Sequence, residues 1–262
     1  MEILERFKKA VDEHLSLRSF PVAIKLLERR EDIPPNMSRS SQILGETIRP
    51  CVGWHKARHE GLSLAMLEED FSTACPSGLF VLGILEPIPS WIEGNLACDI
   101  YTGSREAAAN MERHVFRLEA GKYIGIAFAP LGKADFIPDL VMMYSNSKQA
   151  WRLVVATAWT TGEPLRVSIA ARDLCSEAIA QPFQTGQPVL AIPCGGDRAH
   201  GMTTDDEIVF TTPVDKLEGI IQGLEGFEKS HRVKYPGGES KLAKRYKEMA
   251  KMLDEKLGRQ NS

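Results

Sequence analysis

Residues 124–159 read IGIAFAPLGKADFIPDLVMMYSNSKQAWRLVVATAW, and their order of patterns decides the fold class. Ile124–Ala129 and Leu140–Tyr144 are short apolar runs with the length and flanks of buried strands. Ser147 then precedes a largely apolar stretch, Gln149 to Trp159, long enough for a helix. Two buried strands followed directly by a helix point to layers of helix on sheet rather than to a bundle or a sandwich.

The same alternation continues outward in both directions. Toward the N-terminus, Ser104 is placed to cap a helix over Arg105 to Phe116, and Leu79 to Leu85 is apolar behind the breaker Cys75-Pro76-Ser77-Gly78. A helix is expected from about Gly53 to Glu68, and residues 31–47, rich in Pro, Ser and Asn, read as an exposed connection. Val22, Ile24 and Leu26 alternate within a strand spanning Phe20 to Leu27. Ile3, Leu4, Phe7, Val11, His14 and Leu15 recur at helical spacing and open the chain with an amphipathic helix. Toward the C-terminus, a short helix holds Cys175, and Val189–Ile192 is a strand that delivers Pro193-Cys194-Gly195-Gly196 at its end. Ile208–Thr211 follows as a strand, and Pro213 reads as the first residue of a helix, where its missing N–H costs nothing. The expected class is therefore α/β, with a mixed or partly parallel sheet covered by helices and amphipathic helices at both ends. One domain is expected over residues 1–227, with residues 228–262 as a basic amphipathic helix.

Composition narrows the function. The 262 residues are 43% hydrophobic and 26% charged with a net charge of −3, which provides no positive field for nucleic acid. Charges interrupt the N-terminus every few residues, so neither a secretory leader nor a membrane span is expected, and the reading is a cytoplasmic protein. The last 35 residues depart from this average. They carry ten Lys or Arg against five Asp or Glu, with an apolar stripe of Leu242, Tyr246, Met249, Leu253 and Leu257. Such a stripe suits packing on the parent fold, on a second copy or on a partner protein, and its narrowness disfavours a membrane surface.

Five cysteines, an odd number in such a chain, argue against a disulfide framework and leave core thiols, reactive thiols or metal ligands. Three of them adjoin prolines, as Pro50-Cys51, Cys75-Pro76 and Pro193-Cys194, and rigid turns suit a sulfur that must be held in place. No Cys-x-x-Cys occurs, so a metal centre would have to be assembled from distant segments. The bland alternative is that all five are small core hydrophobes. Cys98 lacks any turn setting and reads as structural. A faint repeat is visible: Cys51 and Cys75 lie 24 positions apart, Cys175 and Cys194 lie 19 apart, and the second of each pair precedes a glycine-containing turn.

Cys51, His55 and His59 are spaced four apart and share one helical face, which suits zinc, iron or an axial ligand to a tetrapyrrole. Lys56, Arg58 and Glu60 around them suit a solvated face instead, and His55 remains open as a ligand. Residues 194–201, Cys-Gly-Gly-Asp-Arg-Ala-His-Gly, could form a nest of backbone N–H groups in which Gly195, Gly196 and Arg198 hold an anionic group of a cofactor or substrate. The competing reading is a tight turn closed by an Asp197–Arg198 ion pair. A nucleophilic pair of Cys194 with His200 ranks below metal binding.

Pro21-Val22-Ala23-Ile24-Lys25-Leu26, Cys51 ahead of Gly61, and Cys75-Pro76-Ser77-Gly78 with Gly83 resemble the first half of the archaeal cysteine-rich (ArCR) family, domain of unknown function 169. Pro130-Leu131, Pro138-Asp139-Leu140-Val141, Asn146 with Gln149-Ala150, Cys175 and Cys194-Gly195-Gly196-Asp197-Arg198 continue the resemblance over roughly residues 20–225. The family brings no established activity. It implies a choice of positions, Cys51, Cys75, Cys175 and Cys194 but not Cys98, and an anaerobic setting compatible with oxygen-sensitive metals. Trp54, His55 and His59 stand outside the family pattern. The expectation is a metal-binding protein, with those four cysteines, and His55 as a possible substitute, as ligands of an iron–sulfur cluster or a haem-type tetrapyrrole, in a redox or electron-transfer role of anaerobic metabolism. The alternatives are a metal-free module that binds a small anionic metabolite at residues 194–201, or a partner-binding protein that works through its basic tail. Whether the protein is an enzyme stays open.

Overall fold

The structure, a computed structural model, describes residues 1–231 and 239–257. The basic positions expected at 232–238 and 258–262 lie outside the described residues. The helices are α1 (Glu2–His14), α2 (Ser40–Leu44), α3 (Pro50–His55), α4 (Pro76–Val81), α5 (Pro89–Ile92) and α6 (Arg105–His114). They continue with α7 (Ser147–Ala158), α8 (Gln181–Thr185), α9 (Gly195–His200), α10 (Leu217–His231) and α11 (Lys241–Lys256). The strands are β1 (Val22–Leu27), β2 (Ser38–Arg39), β3 (Leu64–Leu67), β4 (Gly125–Pro130), β5 (Leu140–Ser145), β6 (Val189–Ala191) and β7 (Ile208–Pro213).

One seven-stranded mixed sheet runs in the order β2-β3-β4-β1-β5-β7-β6. The edge strand β2 pairs in parallel with β3, and the other pairings are antiparallel. Without β2 the order is a palindrome about the β1–β5 seam: β3-β4-β1 on one side is mirrored by β6-β7-β5 on the other. In each half the middle strand of the trio is the last to be made. The seam itself is short, three residue pairs from Val22↔Met142 to Ile24↔Leu140.

Both faces of the sheet are buried, which is why its strands read as continuous apolar runs. Side chains still alternate. Val22, Ile24, Ile126, Phe128, Leu140 and Met142 point to one layer, together with Cys51, Trp54, Leu79 and Ile179 from the short helices. Ala23, Ala129, Val141, Met143 and Phe210 point to the other, against α1, α7 and α10 through Phe7, Leu153 and Ile220. Two glycines permit close approach. A Cβ on Gly53 would stand 2.9 Å from Phe128 Cε2, and one on Gly223 would stand 2.4 Å from Ala156 Cα. The first lets α3 lie on the sheet, and the second lets α10 lie on α7.

Three boundaries differ from expectation. The helix expected over Gly53–Glu68 begins at Pro50, continues through a π-helical turn (Lys56–Glu60) and stops at Gly61, whose φ of 71° ends it. Leu64–Leu67 is then strand β3, because pairing with β4 outweighs helical spacing. Pro213 closes strand β7 opposite Leu140 rather than opening a helix, and the long helix begins at Leu217. The expected division at residue 227 falls inside α10, which carries Phe227 into the core and runs on to His231. Ser104 caps α6 as expected, accepting from the Ala107 N–H at 3.2 Å, whereas α7 is capped by Asn146, with Ser147 already inside the helix. No described helix is long and apolar enough to cross a membrane.

Candidate functional site

Cysteines stand at the starts of four separate helices on one face of the sheet. Cys51 is the second residue of α3, and Cys75 immediately precedes α4. Cys175 is the second residue of a helical run that begins at Leu174 and passes through a π-helical turn (Ser176–Ala180) into α8. Cys194 immediately precedes α9, where strand β6 delivers it.

Contacts close these segments into a ring. Gly78 of α4 lies against Pro50, so tightly that a Cβ there would stand 2.8 Å from the proline Cγ. The Asp173 carboxylate takes a hydrogen bond at 3.1 Å from the Cys175 N–H, and the Ser77 side chain stands near enough to lower its pKa. The Leu174 amide stands near enough to the Cys194 sulfur to oppose the rise of its pKa. The Cys51 thiol in turn donates to Gly196 O across 3.6 Å. Thus α3 touches α4, α4 touches the Cys175 segment, that segment touches Cys194, and the Cys194 loop returns to Cys51.

Electrostatics place the sulfurs within one another's fields. Burial pushes the Cys51 thiol far above the ordinary range, and the charges at Asp197, Cys75 and Cys194 push it further. Cys175 rises likewise by burial, then by Asp173, Cys75, Cys194 and Cys51. Burial raises Cys75 against the opposing Gly78 amide, and burial with Asp173 raises Cys194 to about 11. All four thiols are accordingly neutral as they stand, which makes them poor nucleophiles. Among the described residues no three Cys, His, Asp or Glu side chains are grouped closely enough to hold a single ion. Cys98 lies elsewhere, in a turn bridged to Thr102.

The other expected site residues take other places. His55 and His59 pack on each other, with ring centroids 5.0 Å apart, and burial followed by the nearby Arg58 charge lowers both toward the neutral form. His55 Nδ1 is buried without a hydrogen-bond partner, and its Nε2 lies 3.9 Å from Glu60. Gly195 and Gly196 open α9, but Arg198 turns outward. Its Nε donates to Pro193 O at 3.2 Å, and its terminal nitrogen pairs with Asp205 at 3.2 Å. The Asp197–Arg198 ion pair considered from the sequence is not formed. Asp197 is fully buried instead, accepting from Trp54 Nε1 at 2.8 Å, from the Tyr144 hydroxyl at 3.0 Å and from the Thr203 hydroxyl. His200 is exposed at the far end of α9.

Two features of the site have no counterpart in the sequence analysis, and a third, Arg58, departs from the solvated face expected there. Asp173 ties two cysteine segments together; an Asp two residues before Cys175, in the setting of a helix N-cap, was its available signal. Tyr101 brings its hydroxyl within 3.7 Å of where a Cβ on Gly195 would stand and feels the fields of Cys194 and Cys75. Arg58 is wholly buried, paired with Glu207 at 2.9 Å, with its guanidinium stacked 3.6 Å above the Tyr144 ring. Only the tertiary structure supplies the partner that makes such a buried charge tolerable.

Residues 10–223 match the sequence profile of the uncharacterised ArCR proteins, DUF169. Among curated proteins, an uncharacterised protein of Methanocaldococcus jannaschii is 27% identical over 229 residues, covering 86% of this chain and 95% of that protein. No solved structure matches the chain.

Proposed function

The chain belongs to the uncharacterised ArCR family, DUF169, and from that footing we propose that it is a redox protein whose Cys51, Cys75, Cys175 and Cys194 thiolates hold an iron–sulfur cluster. The observation that carries this reading is the ring itself: four thiols from four helix starts, each within the field of others. Four cysteine thiolates are the ligand set of such clusters, and a polynuclear centre needs its sulfurs farther apart than one ion does. Backbone amides stand near two of the sulfurs and oppose the rise of their pKa, Gly78 at Cys75, and Leu174 and Asp197 at Cys194. Donors so placed would offset negative charge on sulfur and tune a cluster's potential. A haem-type tetrapyrrole would draw on one axial ligand, Cys51 or His55, and leave the other sulfurs without a role. Loading has to expel protons from neutral thiols, so metal affinity rises with pH.

Purification without oxygen, followed by iron and acid-labile sulfide analysis and a visible spectrum, tests the reading. A brown protein with iron and sulfide in near-equal amounts is expected, retained in Cys98→Ser and lost when any of the four ring cysteines becomes Ser. A colourless, iron-free protein that takes up no cluster on reconstitution at neutral or alkaline pH overturns it. The ring would then be a packed core of thiols, and the metal-free metabolite module would be the reading left.

A further inference from the structure

A cavity of about 290 Å³ opens between α6 and the segment that leads into Cys175. Met111, Val115 and Phe116 form an apolar wall, and Arg172, Asp173 and Glu177 supply charge. These charges are deeply placed, with side chains 2% exposed for Arg172 and 5% for Asp173. An ionic group is not carried into a protein interior without partners that repay its desolvation.

The partners present account for only part of this charge. Arg172 is neutralised from behind, where its guanidinium meets the wholly buried Glu112 carboxylate at 2.5 Å. Glu112 is not part of the cavity wall. Two carboxyl groups then face the cavity, and the one cation near them, Arg172, is shared by Glu112 and Asp173. Asp173 uses Oδ1 to take the Cys175 N–H, while its buried Oδ2 has no hydrogen-bond partner and lies 3.6 Å from Arg172. Glu177 uses Oε1 for the Ala170 and Ala171 N–H groups, each at 2.7 Å. The cavity is therefore apolar on one side and short of positive charge on the other. The guanidinium nitrogens make no hydrogen bond among the described residues, but their single charge already faces Glu112 and Asp173, so an anionic guest would add to an excess of carboxyls that a cationic guest would offset.

We propose that this cavity binds a small protonated amine, with its ammonium group on Asp173 Oδ2 and the Glu177 carboxyl and its hydrocarbon part against Met111, Val115 and Phe116. The volume, at the small end of ligand pockets, fits a short alkylamine rather than a nucleotide or a peptide. Because Asp173 also braces Cys175, the bound amine lies beside the ring of thiols. Binding does not depend on the cluster, and the two proposals fail separately.

The test is calorimetric titration of the full chain with butylamine, using 1-butanol and butyrate as neutral and anionic probes of equal length, on protein with and without reconstituted iron. Butylamine is expected to bind one per chain and at least tenfold more tightly than either control, in both preparations. Glu177→Gln, which keeps an acceptor for the Ala170 and Ala171 amides, and Met111→Trp, which fills the cavity, are each expected to weaken binding at least tenfold. Unchanged far-ultraviolet circular dichroism would show that these variants fold. Butyrate binding tighter than butylamine, no saturable amine binding, or binding indifferent to both substitutions overturns the proposal. Amine binding to protein that never takes up iron would uphold this proposal while overturning the cluster.

Discussion

The two halves of the sheet carry the same device in different surroundings. In the first, Cys51 opens a helix that passes through a π-helical turn to the positive-φ Gly61, strand β3 follows, and Cys75 precedes α4. In the second, Cys175 opens a helix that passes through a π-helical turn to the positive-φ Gly186, strand β6 follows, and Cys194 precedes α9. The mirrored strand order brings the two devices together over one face. What the halves share is whatever points a sulfur at the ring. What they do not share is how each π-helical turn handles buried charge: the first buries Arg58 with Glu207 as its partner, the second buries Glu177 with no cation paired to it among the described residues. Shared features thus mark the site, and unshared ones mark what each half adds to it.

The largest expected effect concerns the shared part. Serine at both Cys51 and Cys75, or at both Cys175 and Cys194, is expected to abolish iron binding equally, as measured by metal analysis after anaerobic reconstitution. Full iron content in either double variant would break the equivalence of the halves. The second concerns the first half's buried charge. Glu207→Ala strands the Arg58 guanidinium and is expected to cost about 3–5 kcal/mol in urea unfolding at pH 7. A loss under about 1 kcal/mol, the scale of an exposed pair, would mean that Arg58 finds other partners.

Acid sharpens the contrast, because the two carboxyls shift in opposite directions. Burial pushes Glu207 up, but the Arg58 hydrogen bond and the Thr204 N–H outweigh it, and its pKa falls below the ordinary value. Such a group stabilises the fold above its unfolded pKa, and the benefit is lost as pH falls through the folded one. Burial dominates at Glu177 and raises it despite the Ala170 and Ala171 amides. Its contribution is complete below the unfolded pKa and lost as pH rises through the folded one. Unfolding measured against pH should therefore show Glu207→Gln losing stability mainly at neutral pH and Glu177→Gln gaining it there. Shifts of the same sign would remove the distinction.

Smaller effects follow. Asp197→Asn keeps an acceptor for Trp54 and Tyr144 and is expected to cost about 1–2 kcal/mol by calorimetry. Truncation before Ser240 removes α11, on which no described residue is buried, and is expected to change stability by less than about 0.5 kcal/mol. A larger change would mean that the exposed stripe of Tyr246, Met249 and Leu253 is covered in solution.

Most of the architecture was legible in sequence. The runs at 124–129 and 140–144 became β4 and β5, and the spacing of Ile3, Leu4, Phe7 and Val11 became α1. Local patterns sufficed there because burial on one or two faces imposes a period that short windows reveal. Leu64–Leu67 was misread because four apolar residues after a helix carry no period of their own, and only the partner strand β4 makes them a strand. The choice of Cys51, Cys75, Cys175 and Cys194 over Cys98 rested on turn chemistry and family resemblance, both readable along the chain. Their mutual positions were not. The pairing of Asp197 with Trp54 and Tyr144 rather than with the adjacent Arg198 shows why: a buried carboxylate takes the donors that share its dry environment, and these come from 143 and 53 positions away.

By itself, then, the sequence determined the class of fold, the elements with strong periodicity and which cysteines lie at turns, since propensity, burial period and side-chain chemistry are local properties. Only the tertiary structure decided that the sheet is a palindrome, that Gly78 meets Pro50 and Gly196 meets Cys51, and that Asp173 stands between two cysteine helices. Those facts arise from contacts between segments far apart along the chain, where packing and desolvation, rather than anything within one segment, select the partner.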